Sequence, residues 1–244
     1  MTKEINKNRS DSKSERVVKF AFCDSQSSGR TAMPVISWSD YTYDLTASVT
    51  TESGNKNLGS LFGTKKSLDE LSEGIRLDAK KYKFTMDAYR GSTKVLSGST
   101  SADLSQSGDT VLTFIMLPQS GAKGTAKVTI EFPVENTPVA SIKADVNRNI
   151  FANPTASAVT VAAGSMESAA GNYYYEYNCG GKELESNTEM YALFWAYDAK
   201  GQVIWSGAES LYIVGGSESR STISLTNDDW WNYTVAVNIR KDGS

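Results

Sequence analysis

The sequence predicts an all-β chain folded as two tandem β-sandwiches, and three observations carry that prediction. Apolar and polar side chains alternate with period two in one segment after another. Turn-formers such as Arg90-Gly91-Ser92, Ser107-Gly108-Asp109 and Ser120-Gly121 separate those segments at short intervals, as in a β-sandwich. Helical spacing is confined to one short window. The length of 244 residues suits one large domain or two small ones, and 10% aromatic residues are enough to build a core.

From the N-terminus, residues 1–28 read as a disordered arm and tether. Residues 1–15 hold only Ile5 as a large apolar side chain after the initiator, too little to offset the entropy of ordering. The run Val17-Val18-Lys19-Phe20-Ala21-Phe22 follows, then Cys23 and a Ser/Gly-rich stretch to Gly29. That order resembles the cleavage region of a bacterial lipoprotein signal, with two departures. The apolar run is short and contains Lys19, and Phe22 stands where a small residue is needed. A short edge strand is the other reading of the same run.

The first sandwich is expected over residues 29–120, entered at Pro34. A capping box of Ser67 and Glu70 opens the one helical window, and Gly74 closes it. Alternation places Tyr82, Phe84, Met86 and Ala88 on one face of a strand. Thr110–Leu117 is apolar on nearly both faces, as in a strand covered on two sides or packed centrally. The polar, flexible run Pro118–Gly124 marks the boundary.

The second sandwich is expected over residues 121–244. Lys127–Phe132 and Ala140–Val146 alternate. Ala192–Tyr197 and Gln202–Trp205 flank Asp198-Ala199-Lys200-Gly201, a hairpin in which Asp opens the turn and Gly closes it with a bulge. Leu211–Gly216 and Thr222–Leu225 read as the next two strands, with Gly215-Gly216-Ser217 as a hairpin turn. Tyr233–Arg240 alternates too, either as the last strand or as the first strand of a further module. Both halves have the size of an immunoglobulin-like sandwich.

Composition removes several kinds of chemistry. The chain has no histidine, which excludes Ser-His-Asp and Cys-His nucleophile systems and the commonest zinc ligand. A net charge of −3 argues against nucleic acid as a partner. No apolar stretch is long enough for a membrane-spanning helix. Cys23 and Cys179 are too few for a disulfide framework and read as unpaired thiols; a bridge would have to join the two halves.

Carboxylates are the abundant acids, so Asp87, Glu131, Glu176 and Asp198 are the candidates for a glycoside hydrolase pair. Three of them fall on polar strand positions and Asp198 is explained by its turn, so a non-enzymatic role is expected. Asn227-Asp228-Asp229 offers oxygen donors of the type calcium prefers, without the spacing of a calcium loop. A solvated turn is the simpler reading, and no cofactor or metal is expected.

The aromatic residues of the second half are the contact candidates: Tyr173, Tyr175, Trp205, Trp230 and Trp231. Neighbouring residues on a strand face opposite ways, so Trp230-Trp231 cannot both be core if they lie in regular strand. Exposed rings on a β-surface suit sugars and protein partners. The competing reading is that they cover a sandwich edge or pack against the neighbouring module.

Three strings of this sequence, Gly29-Arg30-Thr31-Ala32-Met33-Pro34, Lys81–Ala88 and Ser206-Gly207 with Leu211–Gly216, resemble those of bacterial surface lipoproteins. These carry tandem immunoglobulin/fibronectin-type β-sandwich modules, and the likeness spans residues 29–226. It implies an exported, non-enzymatic stalk or adhesion module at the cell surface or outside the cell; the aromatic residues of the second half would then meet a protein or glycan partner there.

Overall fold

The alternation resolves into strands throughout the computed structural model, which describes residues 15–24, 31–51, 54–106, 110–181 and 183–231. Residues 1–14 and 25–28 of the expected arm and tether, the turn at 107–109 and the alternating segment 233–240 lie outside the described residues. Strands β1 (Glu15–Asp24), β2 (Thr31–Pro34), β3 (Thr42–Thr51) and β4 (Gly54–Ser60) precede helix α1 (Leu68–Ser72). Then come β5 (Ile75–Asp78), β6 (Lys81–Arg90), β7 (Thr93–Asp103) and β8 (Thr110–Pro118). The later half runs β9 (Lys123–Pro133), β10 (Ser141–Asn147), β11 (Val159–Ala162), β12 (Glu167–Ala169) and β13 (Asn172–Tyr177). It closes with β14 (Leu184–Glu185), β15 (Tyr191–Tyr197), β16 (Val203–Leu211) and β17 (Glu218–Ser224). The protein is all-β, and its described residues form two β-sandwich bodies: β1 with Ile36–Ala122, and β2 with the chain from Lys123 onward.

In the first unit one sheet runs β4-β3-β6-β7-β8-β1-β5 and curls over itself. Packing across the curl is plain at Phe22 of β1, whose ring stacks on Tyr43 of β3 at 5.1 Å although the two strands are not sheet neighbours. Tyr82, Phe84, Met86 and Ala88 are all buried on one face of β6, as alternation requires. Helix α1 has the Ser67–Glu70 capping box. The Lys66 ammonium, then Ser67, hold the Glu70 carboxyl low, at about 2.

Two expectations change here. Residues 15–24 are neither tether nor edge: β1 lies between β8, to which it runs parallel, and β5. Phe20 and Phe22 explain this, since both reach Phe114 at 6.3 and 6.4 Å, and such aromatic area more than offsets the strand's polar content. Strand β8 is central in the sheet, but only its Leu112, Phe114 and Met116 face is covered. Val111, Ile115 and Leu117 on the other face are exposed by half or more.

The second unit is a curled sheet in the order β11-β10-β15-β16-β2-β17-β9-β13-β12, with β14 on β9. Tyr177 of β13 meets Phe194 of β15 edge-on at 5.7 Å across the curl. The β15–β16 hairpin is held as its sequence suggests. Asp198 Oδ1 accepts N–H bonds from Lys200 and Gln202, both 2.8 Å, Gly201 has φ +77°, and the register shifts at Ala196/Tyr197. Leu211–Gly216, however, is not a separate strand: Leu211 ends β16, while Ile213 and Val214 are buried in a connection. The turn at Gly215-Gly216 does not make a hairpin either. Strand β2 sits between β16 and β17, parallel to the first and antiparallel to the second.

That connection packs hard on β9. A Cβ built at Gly124 would lie 2.4 Å from the Val214 carbonyl oxygen and 2.8 Å from that of Ser217. Backbone atoms cannot swing aside as a side chain can. Gly124→Ala should therefore lower stability by about 1–3 kcal/mol, read as an earlier midpoint in urea unfolding. Ile115→Thr, on the open face of β8, should stay within about 0.5 kcal/mol of the parent in the same measurement.

Candidate functional site

Three of the five aromatic candidates serve the core. Tyr175 and Trp205 are 8% exposed and Trp230 is 5% exposed. The reason lies in register. Tyr173, Tyr175 and Tyr177 pair with Phe132, Ile130 and Val128 of β9, so all point to the apolar face. Trp205 covers Gly207, where a Cβ would come within 2.5 Å of the indole. Trp230 stands edge-on to Phe132 at 5.9 Å, and its Nε1–H donates to Asn227 Oδ1 at 3.3 Å. Tyr173 is half-buried against the same cluster, 5.5 Å from Phe132. Trp231 alone of the five is exposed, at 42%, tied by its backbone N–H to the Ile204 carbonyl.

The carboxylates are engaged separately. Asp87 accepts from Ser97 and faces Lys94 at 3.4 Å; Glu131 accepts from Ser224; Glu176 pairs with Lys127 at 3.1 Å; Asp198 holds its turn. Asp229 caps a short 3-10 turn by accepting from Thr226 N–H and Oγ1. Among the described residues no group of three acidic, cysteine or histidine side chains is placed to hold a metal, and no helix is long and apolar enough to cross a membrane. Cys179 is a free, buried thiol, so no Cys23–Cys179 bridge is present, and burial pushes its pKa up to about 12.

A different surface gathers aromatic side chains. On the outer face of the second unit's sheet, Asp145 and Leu193 are directly opposed between β10 and β15, and both are buried. The segment between β10 and β11, residues 148–158, covers them. The Asp145 carboxylate accepts the Val146 N–H through Oδ1 and the Thr155 N–H through Oδ2, each at 2.8 Å, which pins the segment's far end. Its near end is shaped by two successive Asn turns. Asn147 Oδ1 accepts from Asn149 N–H and Asn149 Oδ1 from Phe151 N–H, both at 3.0 Å.

That shaping leaves Phe151 at the rim, 90% exposed. Between the segment and the β15–β16 hairpin lies a groove of about 310 Å³, lined by Phe151 and Asn153 on one side and by Trp195, Ser206 and Gly207 on the other. Trp195 faces outward, flanked in register by Lys143 and Ser206. Neither its indole N–H nor the side chains of Asn153 and Ser206 are engaged in a hydrogen bond among the described residues. A larger hollow of about 450 Å³ is bordered by Tyr175, Tyr177 and Asn178, but both rings are sunk in the core. Reading the sequence missed Phe151 and Trp195. The available signal for the first was Ile150-Phe151, an apolar pair set among Asn147, Asn149, Asn153 and Pro154, where only turn chemistry is needed.

No protein-family profile matches the chain. No curated protein matches it in sequence. Among solved structures it is similar to a candidate polysaccharide-binding protein of Bacteroides thetaiotaomicron, at 9% identity and a TM-score of 0.34, over 89% of this chain and 93% of that one. It is also similar to a candidate cell adhesion protein of Bacteroides ovatus, at 5% identity and a TM-score of 0.30, over 88% and 94%. A candidate cell adhesion protein of Bacteroides fragilis matches at 9% identity and a TM-score of 0.26, over 93% and 100%.

Asp145→Ala should free the segment that walls the groove. Amide exchange at Thr155 should accelerate, with a stability loss of about 2 kcal/mol for the lost bonds to a charged acceptor. For Cys179 the raised pKa means the folded state keeps its proton above pH 9 while the unfolded state releases it. Stability is then unaffected below about pH 9 and falls between about 9 and 12, by at most about 1.4 kcal/mol per pH unit. Unfolding midpoints measured across that range should drop less steeply in Cys179→Ala.

Proposed function

We propose that this chain is a non-catalytic binding module of a bacterial surface or secreted protein, and that the groove beside Phe151 is its contact site. The observation that carries the reading is Phe151 itself. A phenylalanine left in water forgoes about 1.5–3 kcal/mol of burial, and here two Asn turns hold it there. An apolar ring fixed on a stiff sandwich offers contact area at little entropy cost. The separate engagement of Asp87 and Glu176 in ion pairs, Glu131 with the Ser224 hydroxyl and Asp198 in its turn supports a role without catalysis. The partner surface expected at Tyr173, Tyr175, Trp205, Trp230 and Trp231 moves, in this proposal, to Phe151 and Trp195.

Beads coated with the protein should adhere to a mucin-coated surface, mucin offering both glycan and polypeptide. Phe151→Ser, with an unchanged circular dichroism spectrum, should reduce adherence about tenfold, or 1.4 kcal/mol. Equal adherence of parent and variant, or none by either, overturns the proposal.

A further inference from the structure

We propose that the groove takes a neutral saccharide, an assignment that rests on the binding-module reading above and names its ligand. The wall chemistry is of two kinds. Phe151 and Trp195 contribute aromatic rings that stack on no other aromatic side chain among the described residues. Asn153, Ser206 and the Trp195 indole N–H supply donors and acceptors that the fold leaves unengaged. A pyranose matches both at once. Its axial C–H face lies on a ring and its rim of hydroxyls reaches the polar groups, which fix its orientation.

An apolar peptide side chain would cover the rings but strand the carboxamide, the hydroxyl and the indole N–H without partners, a costly outcome once water is displaced. A charged ligand is disfavoured for a separate reason. No Lys, Arg, Asp or Glu is part of the groove's lining, and Lys143, which lies opposite Trp195 in register, falls outside it, so an acidic or phosphorylated sugar would lose hydration with little to replace it. The volume of about 310 Å³ lies at the small end of ligand sites, which suits a terminal sugar or a short oligosaccharide end. A ligand of that size on a shallow site binds weakly, with Kd of about a millimolar for a single ring.

The test titrates the ¹⁵N-labelled full chain with the methyl glycosides of glucose, galactose, mannose and N-acetylglucosamine. The indole N–H signal of Trp195, assigned by its disappearance in Trp195→Phe, should shift and saturate with at least one of them. The Trp230 indole, already bonded to Asn227, should stay still. Phe151→Ser should weaken the titration about tenfold without altering the rest of the spectrum, and its exposed position keeps that variant folded if Trp195→Phe is not. Absence of any Trp195 shift up to about tens of millimolar sugar overturns the assignment, as does a titration unchanged in Phe151→Ser. Periodate oxidation of the mucin surface separates the two levels. Adherence that depends on Phe151 and disappears after periodate supports the saccharide; adherence that persists overturns it while leaving the binding module standing.

Discussion

Both sheets depend on strands delivered from the first 34 residues, and each makes a parallel pairing that no local hairpin can provide. Strand β1 runs parallel to β8 from Val18 to Asp24, and β2 runs parallel to β16 at Thr31 and Ala32. Without them β8, β5, β16 and β17 would present open backbone edges, whose N–H and C=O groups are costly to bury and prone to pair elsewhere. The side chains follow from the same placement. Phe20 and Phe22 complete one aromatic cluster, and Ala32 is fully buried in the other core. Parallel pairs require long connections, so closure of each unit waits on contacts distant in sequence.

The candidate site is a by-product of how the second unit treats its outer face. An outward carboxylate on β10 would ordinarily be solvated. Asp145 is instead buried under residues 148–158, where two backbone N–H groups satisfy it. The covering segment shields Leu193 and stops short of Trp195, which leaves a groove instead of a flat sheet. The rigidity of that groove comes from hydrogen bonds at both ends of the segment, and its chemistry from the few side chains that those bonds do not use.

Much of the fold was legible because alternation reports directly on a face. The β6 stripe, the capping box at Ser67 and the Asp198–Gly201 turn each depend on residues close in sequence, and each is found as expected. The misreadings share one cause. Lys19 and the neighbouring Ser/Gly stretch made β1 resemble a tether, because its value lies in partners such as Phe114 and Tyr43. The run of Tyr and Trp was conspicuous, but composition does not say which face is inward. Strand β9 decides that for Tyr175, and Phe132 for Trp230.

An all-β chain in two sandwich-sized halves, poor in helix and without histidine chemistry, was readable from 244 letters, since periodicity and residue inventory are local properties. Which rings face water was not. Trp195 sits outward and Trp205 inward on the same hairpin, opposite Ser206 and Ala196 respectively. Phe151 is a contact candidate only because Asp145, six residues earlier, receives an N–H from Thr155, four residues later. Exposure is a relation between distant segments, settled when the chain closes on itself, so it belongs to the packed molecule and to no stretch of sequence within it.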